Sequence, residues 1–93
     1  MNASLAIKLL AEFLGAFLLM LSILASGGNF LIIGLTLALI VFLTGGISGA
    51  AVNPAIAAGL WISGVLNSST FAMYSIAEVL GGLAAAYSYK LVA

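Results

Sequence analysis

An Asn-Pro pair in the middle of an otherwise apolar chain constrains the fold more than any other feature. The stretch "GGISGAAVNPAIAAGLW", residues 45–61, places Asn53 and Pro54 between long hydrophobic runs. Proline inside a helix removes a backbone donor and breaks the helix. In hydrocarbon, an unpaired backbone amide costs several kcal/mol, so irregular backbone there must be covered by protein or line water.

The composition identifies lipid as the solvent. The 93 residues are 66% hydrophobic and 4% charged, and the charges are Lys8, Glu12, Glu78 and Lys90. Four charges cannot cover the surface of a soluble domain, which predicts an integral membrane protein. Without cysteine or histidine, the chain lacks thiol nucleophiles and the commonest general base and metal ligand. We therefore expect no enzyme, no metal and no cofactor, and without a basic cluster we expect no nucleic-acid partner.

Hydrophobic runs predict three membrane crossings, at 5–25, 30–46 and 71–92, because about 20 apolar residues span a bilayer. The apolar part of 47–66 is too short to cross, since roughly ten helical residues reach half the hydrocarbon thickness. We interpret it as a re-entrant loop and half-helix. The polar segment 67–70 predicts the N-cap of the last helix.

Small residues recur four apart, at the spacing that lets helices approach closely in lipid. This pattern predicts a packed bundle and carries no functional meaning by itself. The residues are Ala11 and Gly15, Gly45 and Gly49, and Ala77, Gly81 and Ala85.

Asn53 and Pro54 fit the N-cap and first position of the half-helix. Such a helix points its positive dipole end and free N–H groups into the membrane, and Asn53 adds a carboxamide donor. Facing a polar cavity is one interpretation of this arrangement. The other is a kinked helix in which Asn53 caps its own helix and faces a neighbour.

Four stretches together resemble the aquaporin and glycerol-facilitator (major intrinsic protein) family. "SGAAVNPA", 48–55, is similar to its Ser-Gly-x-x-x-Asn-Pro-Ala signature. "AEFLGAFLLM", 11–20, "IGLTLALIVFLTGGISG", 33–49, and "YSIAEVLGGLAAA", 74–86, resemble its first three helices. The four pieces occur in the family's order and cover nearly the whole chain.

The resemblance implies an all-α membrane protein in which residues 1–93 form a single repeat. Family members are about twice as long and contain two inverted repeats. We therefore expect an antiparallel homodimer for each pore, and four such pores in a tetramer of dimers. Balanced charge, with Lys8 and Lys90 on opposite sides, fits dual topology. A different partner chain is the alternative.

The resemblance also assigns site residues. Asn53, Pro54 and Ala55 match the pore signature, and the carbonyls of 48–52 would form an acceptor ladder. The family's filter positions fall on Ile33, Ala51 and Ile56, where Ile56 replaces an Arg of water-selective members. The ladder residues are Ser48, Gly49, Ala50, Ala51 and Val52.

Four further residues are assigned to structural support. The family's first-helix Glu accepts backbone N–H bonds of the pore loop, and the resemblance gives this role to Glu12. Glu78 replaces a frequent Gln of the third helix, and we expect it to support the fold as well. Gly45 and Gly81 are expected to permit close helix packing.

These features predict a passive channel for water or small neutral solutes such as glycerol. Two alternatives stay open. The first is a dual-topology, proton-coupled exporter of the small multidrug type, in which Glu12 would exchange protons. The second is a non-conducting membrane scaffold held by the small-residue faces.

Overall fold

The computed structural model describes residues 2–93 and contains four helices in that range. Two of them, α1 (Leu5–Ala25) and α4 (Ser68–Val92), are long and apolar enough to cross a membrane. The third apolar helix, α2 (Phe30–Thr44), has 15 residues, and α3 (Pro54–Ile62) has nine. The long axis of the molecule measures 38 Å, against roughly 30 Å for a bilayer's hydrocarbon core.

Helix boundaries follow local capping chemistry. The prediction of an N-cap within 67–70 is confirmed, because the Asn67 side chain accepts a hydrogen bond from the Thr70 N–H. The helices differ from the predicted runs at three ends, one of them the start of α4 at Ser68 rather than at residue 71. α2 stops at Thr44 rather than at residue 46, and α3 stops at Ile62 rather than 66. After α3 the chain reverses at Gly64, whose φ of +84° suits a residue without a Cβ.

Small residues hold α1 against α4. A Cβ on Gly81 would collide with the Phe13 carbonyl oxygen and lie 3.2 Å from the Ala16 Cβ. On α1, a Cβ on Gly15 would collide with the Val52 side chain. Close packing is therefore present at both glycines: Gly81 brings the backbones of α1 and α4 together, whereas Gly15 gives room to Val52 and Ile40.

The two shorter helices occupy different sides of this pair. In the described part of the chain, α2 packs on α1 alone and α3 packs on α4 alone. The α3–α4 junction is closed by Trp61, whose ring stacks on Phe71 at 4.8 Å between centroids. Its indole N–H donates to the Ser68 hydroxyl at 3.0 Å. The segment 45–53, called here the connecting loop, therefore leads from a helix packed on α1 to a helix packed on α4.

Candidate pore site

The connecting loop has a backbone that ordinary residues rarely adopt. Gly49 has a φ of +89°, and the non-glycine residues Ala50 and Val52 have φ values of +51° and +46°. A left-handed conformation costs a non-glycine residue roughly 1–2 kcal/mol. Such strain persists only where surrounding contacts impose it. Two residues outside the loop supply those contacts.

Glu12 on α1 is the first of them. Its side chain is fully buried, and one carboxyl oxygen accepts a hydrogen bond from the Val52 N–H at 2.7 Å. The other accepts from the Ser48 hydroxyl at 2.6 Å. Glu12 thus binds the loop at Ser48 and at Val52, in the manner that the resemblance implies.

Tyr74 on α4 is the second, and the sequence analysis missed it. Its hydroxyl donates to the Ser48 carbonyl at 2.7 Å, and the residue is 2% exposed. The available signal was its position one helical turn before Glu78, which puts both polar groups on the same face of α4. A tyrosine buried in a membrane helix needs a partner for its hydroxyl.

Ser48 and Ala51 differ from their predicted roles. The Ser48 carbonyl was expected in a pore-facing ladder, but the residue is buried and this oxygen bonds Tyr74. Ala51 was expected at a filter, but its side chain is 3% exposed and packs with Ala57 and Tyr74. The left-handed turns of the loop direct these groups into the protein core.

Asn53 begins α3 as predicted. Its side-chain oxygen accepts from the Ala55 N–H at 2.8 Å, and its backbone carbonyl accepts from the Ala57 N–H at 2.9 Å. Pro54 occupies the first helical turn, where its missing N–H costs nothing. The cap uses only the oxygen of the carboxamide, so the exposed Asn53 keeps its NH₂ group for another acceptor.

A groove of about 170 Å³ opens beside Asn53. We call it the Asn53 groove. Its wall is apolar and comes from α1 and from Gly82 of α4, while its polar members are Asn53 and Glu78. The lining residues are Ala16, Leu19, Met20, Ile23, Val52, Asn53, Pro54, Glu78 and Gly82.

Glu78 is the second buried carboxyl group of the site. Within residues 2–93 neither of its buried oxygens accepts a hydrogen bond from a backbone N–H or a hydroxyl group, and the residue is 2% exposed. It neighbours Glu12, whose oxygens are engaged by the connecting loop. The supporting role expected of Glu78 stays a prediction.

The remaining predicted residues lie apart. Ile56 is 53% exposed on α3, and Ile33 is half-buried on α2. Since α2 and α3 do not pack together in the described range, one chain does not bring these two side chains to one site. Gly45 caps α2, and a Cβ there would lie 2.6 Å from the Val41 carbonyl oxygen.

Comparison with known proteins agrees with this arrangement. The family model described as "Major intrinsic protein" matches residues 2–93. The chain is 37% identical over 100 residues to Aquaporin Z from Brucella melitensis, covering 92% of this chain and 44% of that relative. It therefore spans less than half of the relative's length. No solved structure matches significantly. With a family match over nearly every residue and the Asn-Pro-Ala half-helix in place, the chain belongs to the major intrinsic protein family.

Proposed function

We propose that this membrane protein forms a passive channel for water and small neutral solutes, with each pore built from two inverted copies. One observation supports it most. Asn53 begins a nine-residue helix and keeps its NH₂ group exposed beside an open groove. At 1.5 Å per residue such a helix is about 13 Å long, less than half the bilayer core. A second, inverted α3 supplies the other half.

The proposed selectivity follows from the donors at the midplane. Two Asn53 carboxamides face each other, and each donates to the oxygen of a passing water or hydroxyl. The two α3 helices direct their positive dipole ends at the same point, which repels cations and opposes proton passage. No acid, base or nucleophile is needed, so the proposed activity is transport and not catalysis.

The proposed mouth of the pore is apolar. Ile56 and Ile33 stand where the resemblance places the filter, and neither offers a hydrogen-bond donor. Under two-fold symmetry they recur at both ends. The named relative is an aquaporin, but we propose that an uncharged mouth here also admits glycerol.

Osmotic swelling of liposomes containing this single purified chain tests the proposal. Water and glycerol fluxes are compared between the wild-type chain, Asn53→Leu and the matched surface variant Asn2→Leu. The proposal predicts fast fluxes that Asn53→Leu removes and Asn2→Leu leaves intact. Equal fluxes for all three chains, or empty-liposome rates from folded wild-type protein, would contradict it.

Ile56→Arg tests the apolar mouth separately. A guanidinium at each end narrows the entrance and binds water, so we expect glycerol flux to fall more than water flux. Equal loss of both, or no loss, would remove Ile56 from the filter.

The exporter alternative requires Glu12 to exchange protons with a transported cation. Both Glu12 oxygens are instead bonded to the connecting loop, which favours a supporting role. An imposed pH gradient distinguishes the two: channel flux is indifferent to it, whereas exporter flux follows it. A scaffold would show no Asn53-dependent flux at all.

Inverted pairing predicts dual topology. A tag at the N-terminus should be labelled from both faces of sealed membranes, because Lys8 and Lys90 give no orientation bias. Labelling from one face alone would exclude inverted copies and require a different partner chain.

A further inference from the structure

We propose that Glu12 and Glu78 together bind a single proton, which is carried by Glu78 and forms a hydrogen bond between the two carboxyl groups. The site lies where α1 crosses α4. It couples the stability of the chain to pH, a role separate from transport through the pore. The site is complete within one chain, whatever the pairing of two copies.

The crossing of the two long helices brings these side chains together. A Cβ on Gly81 would collide with the Phe13 carbonyl oxygen, so the backbones touch one residue after Glu12 and three residues after Glu78. Glu12 is 0% exposed and Glu78 is 2% exposed, and their side chains are hydrogen-bonded to each other. Two carboxylates cannot form such a bond, because an ionised carboxyl group is an acceptor only. One of the two groups therefore carries a proton.

The surroundings of Glu12 are those of a carboxylate. Its oxygens accept hydrogen bonds from the Val52 N–H at 2.7 Å and from the Ser48 hydroxyl at 2.6 Å. The Ser48 hydroxyl oxygen itself accepts from the Ala50 N–H at 3.3 Å, which leaves the hydroxyl proton for Glu12. Two donors at such short distances are typical of the charge-assisted bonds that an ionised carboxyl group accepts.

The surroundings of Glu78 are those of a neutral carboxylic acid. Within residues 2–93 no N–H or hydroxyl group donates to either of its buried oxygens. The Tyr74 hydroxyl, one helical turn away, donates to the Ser48 carbonyl instead. A second buried carboxylate without donors, next to the first, would cost several kcal/mol. The proton therefore belongs to Glu78, and its O–H group finds an acceptor in Glu12.

No other titratable side chain takes the place of this proton. α2, α3 and the connecting loop contain none. On the two long helices, the remaining titratable side chains are Lys8, Tyr74, Tyr87, Tyr89 and Lys90. Only Tyr74 among them is buried with the pair, and its hydroxyl is already bonded to the connecting loop. The proton is thus the charge that balances the second carboxyl group.

This proton links the stability of the fold to pH. In the folded chain, releasing it would leave two carboxylates in contact, and like charges at this distance disfavour ionisation. In an unfolded chain each carboxyl group is separate and solvated, so the proton is released more readily. Because the folded chain holds one proton more, its stability falls as the pH rises.

Infrared spectroscopy of the chain in an ester-free detergent tests the proton directly. Glu12 and Glu78 are the only acidic side chains, so the C=O stretching band of a protonated carboxyl group reports on this pair alone. At neutral pH we expect such a band in the wild-type chain. Isotopic labelling of the glutamate carboxyl carbons should shift it, and Glu78→Gln should abolish it. No band in the wild-type chain, or a band that persists in Glu78→Gln, would overturn the proposal.

Unfolding by dodecyl sulfate in mixed micelles tests the coupling to pH. The chain has no histidine, so no other side chain ordinarily titrates between about pH 6 and 8. In this range we expect the wild-type unfolding constant to rise by up to about tenfold per pH unit, the effect of one released proton.

Glu78→Gln is the matched variant, because its amide N–H can still donate to Glu12 while it has no proton to release. We expect its unfolding constant to be independent of pH in the same range, and the terminal amino group, common to both chains, cancels in the comparison. Helical content verifies folding, and Glu78→Leu serves as a second variant without a titratable group. A wild-type constant that does not change with pH, or the same change in the variants, would overturn the coupling.

Discussion

The two buried glutamates of this chain lie next to each other and have opposite surroundings. Glu12 bonds the connecting loop through both carboxyl oxygens, at 2.6 and 2.7 Å. Glu78 is also buried, but in residues 2–93 no backbone N–H or hydroxyl group donates to its oxygens, and its neighbour is the Glu12 carboxyl. Both Glu12 carboxyl oxygens are hydrogen-bonded within one chain, whereas Glu78 lines the Asn53 groove.

This difference separates the glutamate that holds the connecting loop from the one that does not. Contacts on the Glu12 side impose the left-handed backbone of the connecting loop, so their loss should unfold or loosen a single chain. Glu78 makes no such contact with the loop, so its loss should leave the loop in place. A Glu12 substitution that leaves the loop in place, or a Glu78 substitution that loosens it, would contradict this distinction.

Glu12→Leu should have the largest effect on a single chain. It leaves the Val52 N–H and the Ser48 hydroxyl buried without an acceptor, at an expected cost of about 3–5 kcal/mol in the free energy of unfolding. Thermal unfolding in detergent measures it, and Glu12→Gln, which keeps one acceptor, should recover part of the loss. Equal destabilisation by Glu12→Leu and Glu78→Leu would contradict the distinction between the two sides.

Gly81→Ala should come next, with a loss of about 2 kcal/mol, because the added methyl group meets the Phe13 carbonyl and forces α1 and α4 apart. The matched control is Gly34→Ala on α2, where a Cβ meets nothing within 4 Å. That change should stabilise by roughly 0.5–1 kcal/mol through helix propensity. The same direction of change for both variants would refute the close contact.

Tyr74→Phe should cost about 1 kcal/mol, since it removes one neutral hydrogen bond and keeps the ring. Hydrogen exchange of the loop amides should rise near Ser48, whose carbonyl loses its donor. Tyr87→Phe is the control, because Tyr87 is 68% exposed and should change stability by less than about 0.5 kcal/mol. Unaltered exchange in Tyr74→Phe would show that the loop is held by Glu12 alone.

Trp61→Phe should be the smallest effect, about 0.5 kcal/mol, because the stacking with Phe71 is largely retained and only an exposed N–H···O bond is lost. Channel flux should stay at the wild-type rate, which places the α3–α4 junction outside the pore. A large drop in flux would instead connect this junction to the loop.

The sequence predicted the parts of this fold that follow from local chemistry. Apolar runs, the Asn-Pro pair and the polar segment 67–70 locate the helices to within a few residues. The resemblance anticipated a contact between Glu12 and the pore loop. The partner of Tyr74 was not predictable, because it depends on how α4 packs over a loop 26 residues away. The position of Ala51 was not predictable for the same reason. The left-handed backbone at Ala50 and Val52 turns the Ala51 side chain into the protein core.

Inverted pairing of two copies is the central claim, and distances between spin labels in isolated dimers test it most directly. The cysteine-free chain allows one label at Ile56, in the first turn of α3, and in a second sample one label at Ser4, at the start of α1. The account predicts Ile56 labels within about 20 Å of each other and Ser4 labels at least about 30 Å apart, on opposite faces of the bilayer. Short distances at Ser4 combined with long distances at Ile56 would place the copies parallel and contradict the inverted pair.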